Sequence, residues 1–382
     1  ELMGRLDWYQ AAPPAFLLLA NAVGSILDYD ELALNFPSLI LGTGAFLLFI
    51  RLAISILGPA LAPLAYIPMA TCSTAIFYCS EFRPQSADLF FAVAVLLAGH
   101  SVLARRWAPS ALVGFTVLGI VSLWFSYAAL FVVAGVGGVL VVLAVATQSQ
   151  GVGRRMVLAF TIIMVHFALL YLLHIRPSVG PDLHAANSAA FAPVVDVGHG
   201  KWWWWILATR GYFQFPLGFW GFDAIAMLGL GVGVVHGFRT RKTAAIAAMA
   251  GAPIALLLIA SSLGKYPITT GIHEVKSRFV LFTIPFAYLF LAFGVSRICG
   301  WLRNRKTLCL LVASALLIPS LYGGFTRPRF RGQEVRPLIE HLRHHLETGD
   351  TVYVFHASVP AFRYYTRAQP IAAVLGRPPR PG

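Results

Sequence analysis

Charged side chains stand at the edges of long apolar runs, where they could handle a charged substrate. Glu81 and Arg83 lie in a short polar loop that leads to Asp88, between two runs that each approach the length of a membrane span. Charge at the rim of a bilayer is costly unless it faces water, a partner or a substrate. An acidic and a basic group held there would suit a substrate with a lipid tail. The alternative interpretation is a charge pair that only keeps a short loop soluble.

A second group of cations comes late in the chain. Lys276 and Arg278 precede an apolar run that begins near residue 279, on the side where basic residues are otherwise scarce. Arginine presents a planar fork that fits a phosphate, so these cations would bind the phosphate of a lipid carrier. Contact with lipid headgroups by snorkelling is the other interpretation. Tyr266 and His273 share this loop, and we expect both to contribute to substrate binding.

The composition requires a membrane. Of 382 residues, 58% are hydrophobic and only 12% are charged, and the mean hydropathy is +0.74. A soluble protein could not bury that much apolar surface, so we predict an all-α polytopic membrane protein. The net charge of +14 would also suit nucleic acid. The basic residues, however, mark the ends of apolar runs instead of forming one patch, and no nucleic-acid partner is expected.

The apolar runs predict about ten membrane-spanning helices. When these spans are threaded in order, all the basic clusters fall on one side, which the positive-inside rule identifies as the cytoplasm. The candidate residues named above then face the outside. The basic clusters are Arg105-Arg106, Arg154-Arg155, Arg239 to Lys242, and Arg303 to Lys306. The predicted spans are 36–56, 59–78, 86–104, 109–124, 126–147, 155–174, 224–238, 243–263, 279–298 and 307–323.

Three regions follow from this pattern. Residues 1–35 are expected to form an external loop and an interfacial helix that starts at Pro13-Pro14. Residues 36–323 would be the transmembrane domain, and residues 324–382 a small external α/β segment that the end of the chain truncates. In that segment we predict a helix over 333–346, a strand within 350–356 and a second helix over 360–365. Glu1 is not an initiator methionine and no first span precedes it, so we expect an N-terminally truncated chain.

Short motifs in a fixed order resemble the GT-C superfamily of membrane glycosyltransferases, in particular the bacterial branch related to protein O-mannosyltransferases and lipid A aminoarabinose transferases. The resemblance covers nearly the whole chain. It departs from the family at Asn35, where arginine is frequent, at Gln85, where tyrosine is frequent, and in the principal catalytic acid, which would lie upstream of Glu1. The matching segments are 6–14, 31–38, Ser80 to Pro84 with Asp88, Arg278 to Phe282, 350–354 and 360–365.

The resemblance implies inverting transfer of a hexose or pentose from a polyprenyl-phosphate-linked donor. The acceptor would be a glycan, lipid or protein on the periplasmic or extracellular face of a bacterial inner membrane. An acceptor hydroxyl would attack the anomeric carbon, a carboxylate would take or orient its proton, and cations would offset the charge on the departing phosphate. The resemblance thereby assigns catalytic roles to Glu81, Asp88 and Asp7, and substrate binding to Gln10, Arg83, Tyr266, His273, Lys276 and Arg278.

A metal and other protein classes stay open on the sequence. A single divalent cation such as Mg²⁺ or Mn²⁺ is compatible with the carboxylates, but the sequence does not require one. A secondary transporter would also be polytopic, although transporters favour ionisable groups near mid-membrane and repeated halves, and neither is evident. A polymerase or ligase of lipid-linked glycans and a purely structural membrane protein are the remaining alternatives.

Overall fold

The computed structural model describes most of the chain. The described residues are 12–178, 202–219, 221–239, 241–268, 274–301, 335–347, 349–355, 358–367 and 369–375, with isolated residues between 307 and 322.

Apolar helices make up the bulk of the protein. Within the described residues, six helices are long and apolar enough to cross a membrane, which confirms an all-α polytopic membrane protein. Two of the remaining helices, Pro14–Ile26 and Pro109–Phe125, are apolar but shorter. The six candidate spans are Glu31–Leu57, Gln85–Ala104, Ala129–Thr147, Gln150–Ile175, Thr243–Ser262 and Arg278–Trp301.

The helices are numbered in chain order. The first eight are α1 (Pro14–Ile26), α2 (Glu31–Leu57), α3 (Pro63–Thr71), α4 (Ser73–Ser80), α5 (Gln85–Ala104), α6 (Pro109–Phe125), α7 (Ala129–Thr147) and α8 (Gln150–Leu170). Helix α8 continues as a π-helical turn over Tyr171–Ile175. The next are α9 (Trp202–Gln214), α10 (Asp223–Arg239), α11 (Arg241–Ser262), a 3-10 helix (Glu274–Thr283) and α12 (Ile284–Trp301).

The predicted spans differ from these helices at 59–78 and at the start of the first span, whereas two of the others agree to within one residue and one is not tested. The run 59–78 is not one helix, because the chain breaks into α3 and α4 at Cys72. Helix α2 begins already at Glu31, where the Asp30 carboxylate accepts a hydrogen bond from the Glu31 N–H at 2.6 Å, and Pro37 lies inside it. The runs 109–124 and 224–238 form helices of 17 residues each. The run 307–323 lies outside the described residues except for isolated positions.

Glycines allow α10 and α12 to pack backbone against backbone. A Cβ at Gly233 would overlap the carbonyl oxygen of Phe290, and a Cβ at Gly294 would overlap the carbonyl oxygen of Gly229. Small residues at such crossings let membrane helices approach closely where no hydrophobic effect drives them together. Helix α12 thereby becomes the buried centre of the bundle, with Ile284 to Val295 all buried.

We expect Gly294→Ala to destabilise the protein by about 1–3 kcal/mol, because the added methyl meets a backbone carbonyl that cannot move without separating the two helices. Gly300→Ala is the matched control, since it lies in the same helix and a Cβ there meets nothing within 4 Å. That control should be neutral or slightly stabilising. Thermal unfolding in detergent measures both. Equal effects of the two substitutions would contradict the close packing.

The C-terminal segment is a small α/β unit with its own core. It consists of α13 (Arg336–His345), β1 (Val352–Val354), α14 (Val359–Thr366) and β2 (Ala373–Leu375), and the two strands pair in parallel with Tyr353 opposite Val374. The predicted helix, strand and second helix are confirmed, whereas β2 was not predicted. Ile339, Val354, Val359 and Phe362 form the core of the unit.

This unit docks on the connection between α1 and α2. The Arg336 guanidinium lies 3.7 Å from the Glu31 carboxylate, and the Tyr364 hydroxyl donates to the Tyr29 carbonyl oxygen at 2.8 Å. Arg336 also pairs with Glu340 one turn further along α13 at 3.2 Å. These contacts are exposed, so each contributes little alone.

Candidate functional site

Three helix connections meet at one end of the bundle. They are the loop between α4 and α5, the turn between α6 and α7, and the segment between α11 and α12, which includes the 3-10 helix. That 3-10 helix packs against α4, α5 and α12. Residues far apart in sequence therefore share one surface, and the polar side chains in the three connections define the candidate site.

Asp88 anchors this site in the first turn of α5. Its side chain is buried, with the residue only 9% exposed. Carboxylate Oδ1 accepts a hydrogen bond from Ser126 Oγ at 2.6 Å, and Ser126 Oγ in turn accepts from the Ala129 N–H at 2.9 Å. This relay joins the start of α5 to the start of α7. Within the described part of the chain, no group donates a hydrogen bond to Asp88 Oδ2.

Arg83 is held by its backbone on one side and by aromatic rings on the other. Ser38 Oγ donates to the Arg83 carbonyl oxygen at 3.1 Å and accepts from the Arg83 N–H at 3.3 Å, which ties the loop to α2. The guanidinium carbon lies 5.8 Å from the centre of the Tyr78 ring and 6.0 Å from that of Phe77. Such contacts help to orient the cation.

Arg278 approaches Arg83 from the 3-10 helix. Its guanidinium carbon lies 4.8 Å from the centre of the Phe279 ring. The side chain is within the range of charge interaction with Arg83, Tyr78 and Tyr266. Among the residues that the structure describes, no carboxylate forms an ion pair with Arg278. Two guanidinium groups are thus brought into mutual repulsion, a situation that a bound anion would relieve.

Aromatic rings form a wall around Tyr266, which lies within charge-interaction range of both Asp88 and Arg278. The Tyr266 ring packs edge-on against Phe131 at 4.9 Å and against Phe279 at 6.0 Å, and Phe131 stacks on Phe282 at 5.9 Å. Burial and the nearby Asp88 carboxylate raise the pKa of the Tyr266 phenol far above its ordinary value, and Arg278 opposes this shift. The phenol therefore stays protonated and can donate a hydrogen bond.

The structure brings together some of the predicted site residues and not others. Four of them form a continuous series, in which each side chain lies within charge-interaction range of the next: Asp88, Tyr266, Arg278 and Arg83. Glu81 is exposed and, in the part of the chain described, makes no hydrogen bond or ion pair, so nothing connects it to that series. The remaining predicted positions lie outside the described residues: Asp7, Gln10, His273 and the side chain of Lys276.

Two residues of the site were not predicted from the sequence. Ser126 holds the Asp88 carboxylate, and Phe131 supports Tyr266. No sequence signal pointed to the first, because the predicted span 126–147 placed Ser126 inside an apolar run. The neighbouring Tyr127 is also engaged, because its hydroxyl donates to the Ala12 carbonyl oxygen at 2.9 Å and ties the chain before α1 to this turn.

A divalent cation finds no ready ligand set here. Across the described residues, no group of three or more histidine, cysteine, aspartate or glutamate side chains could hold a metal ion. Asp88 uses one of its oxygens for Ser126. The chemistry available at the described site is therefore that of one carboxylate, two guanidinium groups and a phenol.

Comparison with known proteins finds a similar structure but no matching sequence. No protein-family model and no curated protein matches the sequence. The chain is similar to the crystal structure of the Archaeoglobus fulgidus oligosaccharyltransferase, with a TM-score of 0.56 and 15% sequence identity over 94% of this chain and 49% of that one. The chain thus spans about half the length of that enzyme. At this identity the similarity is one of fold. It supports the predicted membrane-glycosyltransferase type of fold, whereas membership of the GT-C superfamily and of its bacterial branch stays a prediction.

Proposed function

We propose that this protein is a membrane glycosyltransferase that moves a sugar from a polyprenyl-phosphate-linked donor to an acceptor at the external face of a bacterial inner membrane. One observation carries the proposal: Arg278 lies within interaction range of Arg83, at the same end of a GT-C-type bundle as the buried Asp88. Arginine side chains bind phosphate through paired, charge-assisted hydrogen bonds. A lipid phosphate at the rim of the bilayer would bring its charge to that position while its tail stays among the apolar helices.

Each group of the site has its own part in the proposed sugar transfer. The acceptor hydroxyl attacks the anomeric carbon, a C–O bond to the acceptor forms, and the C–O bond to the phosphate breaks. Asp88 Oδ2 orients the hydroxyl and helps to remove its proton, while Arg278 and Arg83 offset the charge on the departing polyprenyl phosphate. The aromatic wall of Tyr266 and Phe131 packs against the sugar ring, and the Tyr266 hydroxyl donates to one of its oxygens.

The remaining assignments complete the same proposal. Lys276 joins the arginines at the phosphate, because it lies on the 3-10 helix close in sequence to Arg278. His273 and Gln10 contribute to substrate binding, and Asp7 and Glu81 assist catalysis from the same external face. The reaction inverts the anomeric configuration. The acceptor is a glycan, a lipid or a protein.

The test is a transfer assay with the full-length protein in proteoliposomes. Short-chain polyprenyl-phosphate donors with a radiolabelled hexose or pentose are supplied together with membrane glycan, lipid and protein acceptors. We expect the label to leave the lipid carrier and one free polyprenyl phosphate to appear for each sugar transferred. Movement of intact donor across the bilayer with no cleavage would instead identify a transporter. Elongation of a lipid-linked glycan would identify a polymerase.

A further inference from the structure

Helix α1 lies beside the helix that carries Asp88. It packs against α2 and against α6, and α5 packs against both of these helices. Phe16 of α1 is buried in a cluster with Ala87 and Phe91 of α5. Leu18, on the other face of α1, is exposed, as an apolar side chain directed at lipid would be. Helix α1 therefore stands between the first turns of α5 and the surroundings of the bundle.

Two contacts join α1 to the connections that form the candidate site. The Phe16 ring stacks on Phe82, next to Arg83, with the ring centres 5.8 Å apart and the planes at 26°. Just before the helix, the Ala12 carbonyl oxygen accepts from the Tyr127 hydroxyl at 2.9 Å. A displacement of α1 would therefore loosen both the loop between α4 and α5 and the turn between α6 and α7.

The connection from α1 to α2 has a strained backbone. Asp28 and Tyr29 are both left-handed, with φ of 53° and 52°. This geometry is costly for a bulky residue such as tyrosine, so it persists only where other contacts impose it. The Tyr29 ring lies against Gly24, and its hydroxyl donates to Asn21 Oδ1 at 2.8 Å. The Tyr29 N–H donates to the Gly24 carbonyl oxygen, also at 2.8 Å. The turn thus fixes the direction of α1 relative to α2.

The C-terminal α/β unit holds this turn from outside. The Tyr364 hydroxyl donates to the Tyr29 carbonyl oxygen at 2.8 Å, and the Arg336 guanidinium lies 3.7 Å from the Glu31 carboxylate. Both contacts are exposed, and exposed hydrogen bonds and ion pairs stabilise a structure only weakly. The core of the unit consists of other residues. The unit can therefore leave the turn without losing its own fold.

We propose that α1 is a strap across the candidate site and that Arg336 and Tyr364 of the C-terminal unit are its latch. With the unit docked, the left-handed turn is held and α1 covers the start of α5. When the unit leaves, the turn relaxes and α1 moves away from the two connections that it contacts. The site then opens on the side from which a substrate with an apolar tail would arrive. This device governs access only and does not depend on the proposed sugar transfer.

Hydrogen exchange of backbone amides in the full-length protein in lipid nanodiscs tests the latch. Tyr364→Phe removes one hydroxyl and Arg336→Ala one charge. We expect each to speed amide exchange in α1 by about 3-fold, and the two together by about 10-fold. The Arg83 and Ala129 amides, which donate to serine hydroxyls beside the site, should follow α1. Salt at about 1 M should act in the same direction, and less so in Arg336→Ala, because it screens the ion pair.

Tyr353→Phe and Arg363→Ala are the matched controls. Both residues are exposed in the same unit, and within the described residues neither forms a hydrogen bond or an ion pair with the turn between α1 and α2. Their substitution should leave exchange in α1 within about 2-fold of the unsubstituted protein. If Tyr364→Phe and Arg336→Ala changed exchange in α1 no more than these controls do, the latch would be refuted.

The coupling between the turn and the site has its own contrary outcome. Faster exchange of the Tyr29 amide, with exchange in α1 and at Arg83 unchanged, would overturn the strap, because the turn would then open without moving the helix. The amides of β1 show whether the C-terminal unit stays folded. Should Arg336→Ala unfold the unit, the conservative Tyr364→Phe decides alone between the two results.

Discussion

Arg278→Ala should lower kcat/KM for a polyprenyl-phosphate sugar by about 10²–10³-fold, because the departing phosphate would lose a cation directed at it. Arg278→Lys should recover part of this loss, since lysine restores the charge but not the fork. The protein should remain folded, because within the described residues Arg278 has no carboxylate partner to leave unpaired. Initial rates over a range of donor concentrations separate the effects on kcat and on KM.

Arg297→Ala is a suitable control for this substitution. Arg297 also stacks on an aromatic ring, with its guanidinium carbon 5.3 Å from the centre of Trp301, but it lies near the opposite end of α12. Its replacement removes the same charge and the same type of contact, and transfer should continue at an unchanged rate. If both substitutions reduced transfer equally, or if Arg278→Ala left it intact, the phosphate role of Arg278 would be wrong.

The position of Arg278 depends on contacts that join distant parts of the chain. Tyr212 on α9 hydrogen-bonds Thr283, at the end of the 3-10 helix, with 2.7 Å between the hydroxyl oxygens. Tyr288 on α12 donates to the carbonyl oxygen of Leu217 at 3.0 Å. These bonds fix the 3-10 helix against the segment that follows α9. A guanidinium that must meet a phosphate needs such fixed support, since small displacements weaken directed hydrogen bonds.

The membrane class and most helix positions could be predicted from composition and apolar runs, but the break in the run 59–78 could not. At the break, the side chains contact a segment far along the chain. Cys72 Sγ donates to the Pro216 carbonyl oxygen at 2.9 Å, and Thr74 Oγ1 donates to the Phe215 carbonyl oxygen at 2.8 Å. Residues around the break thus satisfy backbone groups of another segment, a demand that no local pattern reveals.

From the sequence, only the charged residues of the site and the side of the membrane that they face could be predicted. Asp88, Arg83 and Arg278 are charged residues beside apolar runs, which makes them visible in a sequence. Ser126 and Phe131 are ordinary residue types, and their roles arise from contacts across the bundle. Glu81 has the same sequence signal as Asp88. It lies at the exposed end of α4, however, whereas the helical register of α5 turns Asp88 inward.

Asp88→Asn should lower kcat by about 10²-fold or more and leave KM for the donor nearly unchanged. Asparagine keeps an oxygen that can accept from Ser126, so the link between α5 and α7 survives. Under the proposed mechanism, what is lost is the negative charge that would orient the acceptor hydroxyl and help to remove its proton. Steady-state rates with saturating donor and acceptor measure this effect, and the thermal stability of the same preparation shows whether the fold is intact.

Ser126→Ala separates the structural role of this pair from the chemical one. It keeps the carboxylate but removes its donor and leaves the Ala129 N–H without its side-chain acceptor. We therefore expect a loss of stability of about 1–3 kcal/mol with a smaller fall in kcat than in Asp88→Asn. Under the proposed mechanism, Asp88→Asn mainly lowers kcat, whereas Ser126→Ala mainly lowers the stability of the fold. If Asp88→Asn also lost mainly stability and kept its turnover, Asp88 would be an anchor between two helices, and the carboxylate that serves the acceptor would have to be sought elsewhere on the external face.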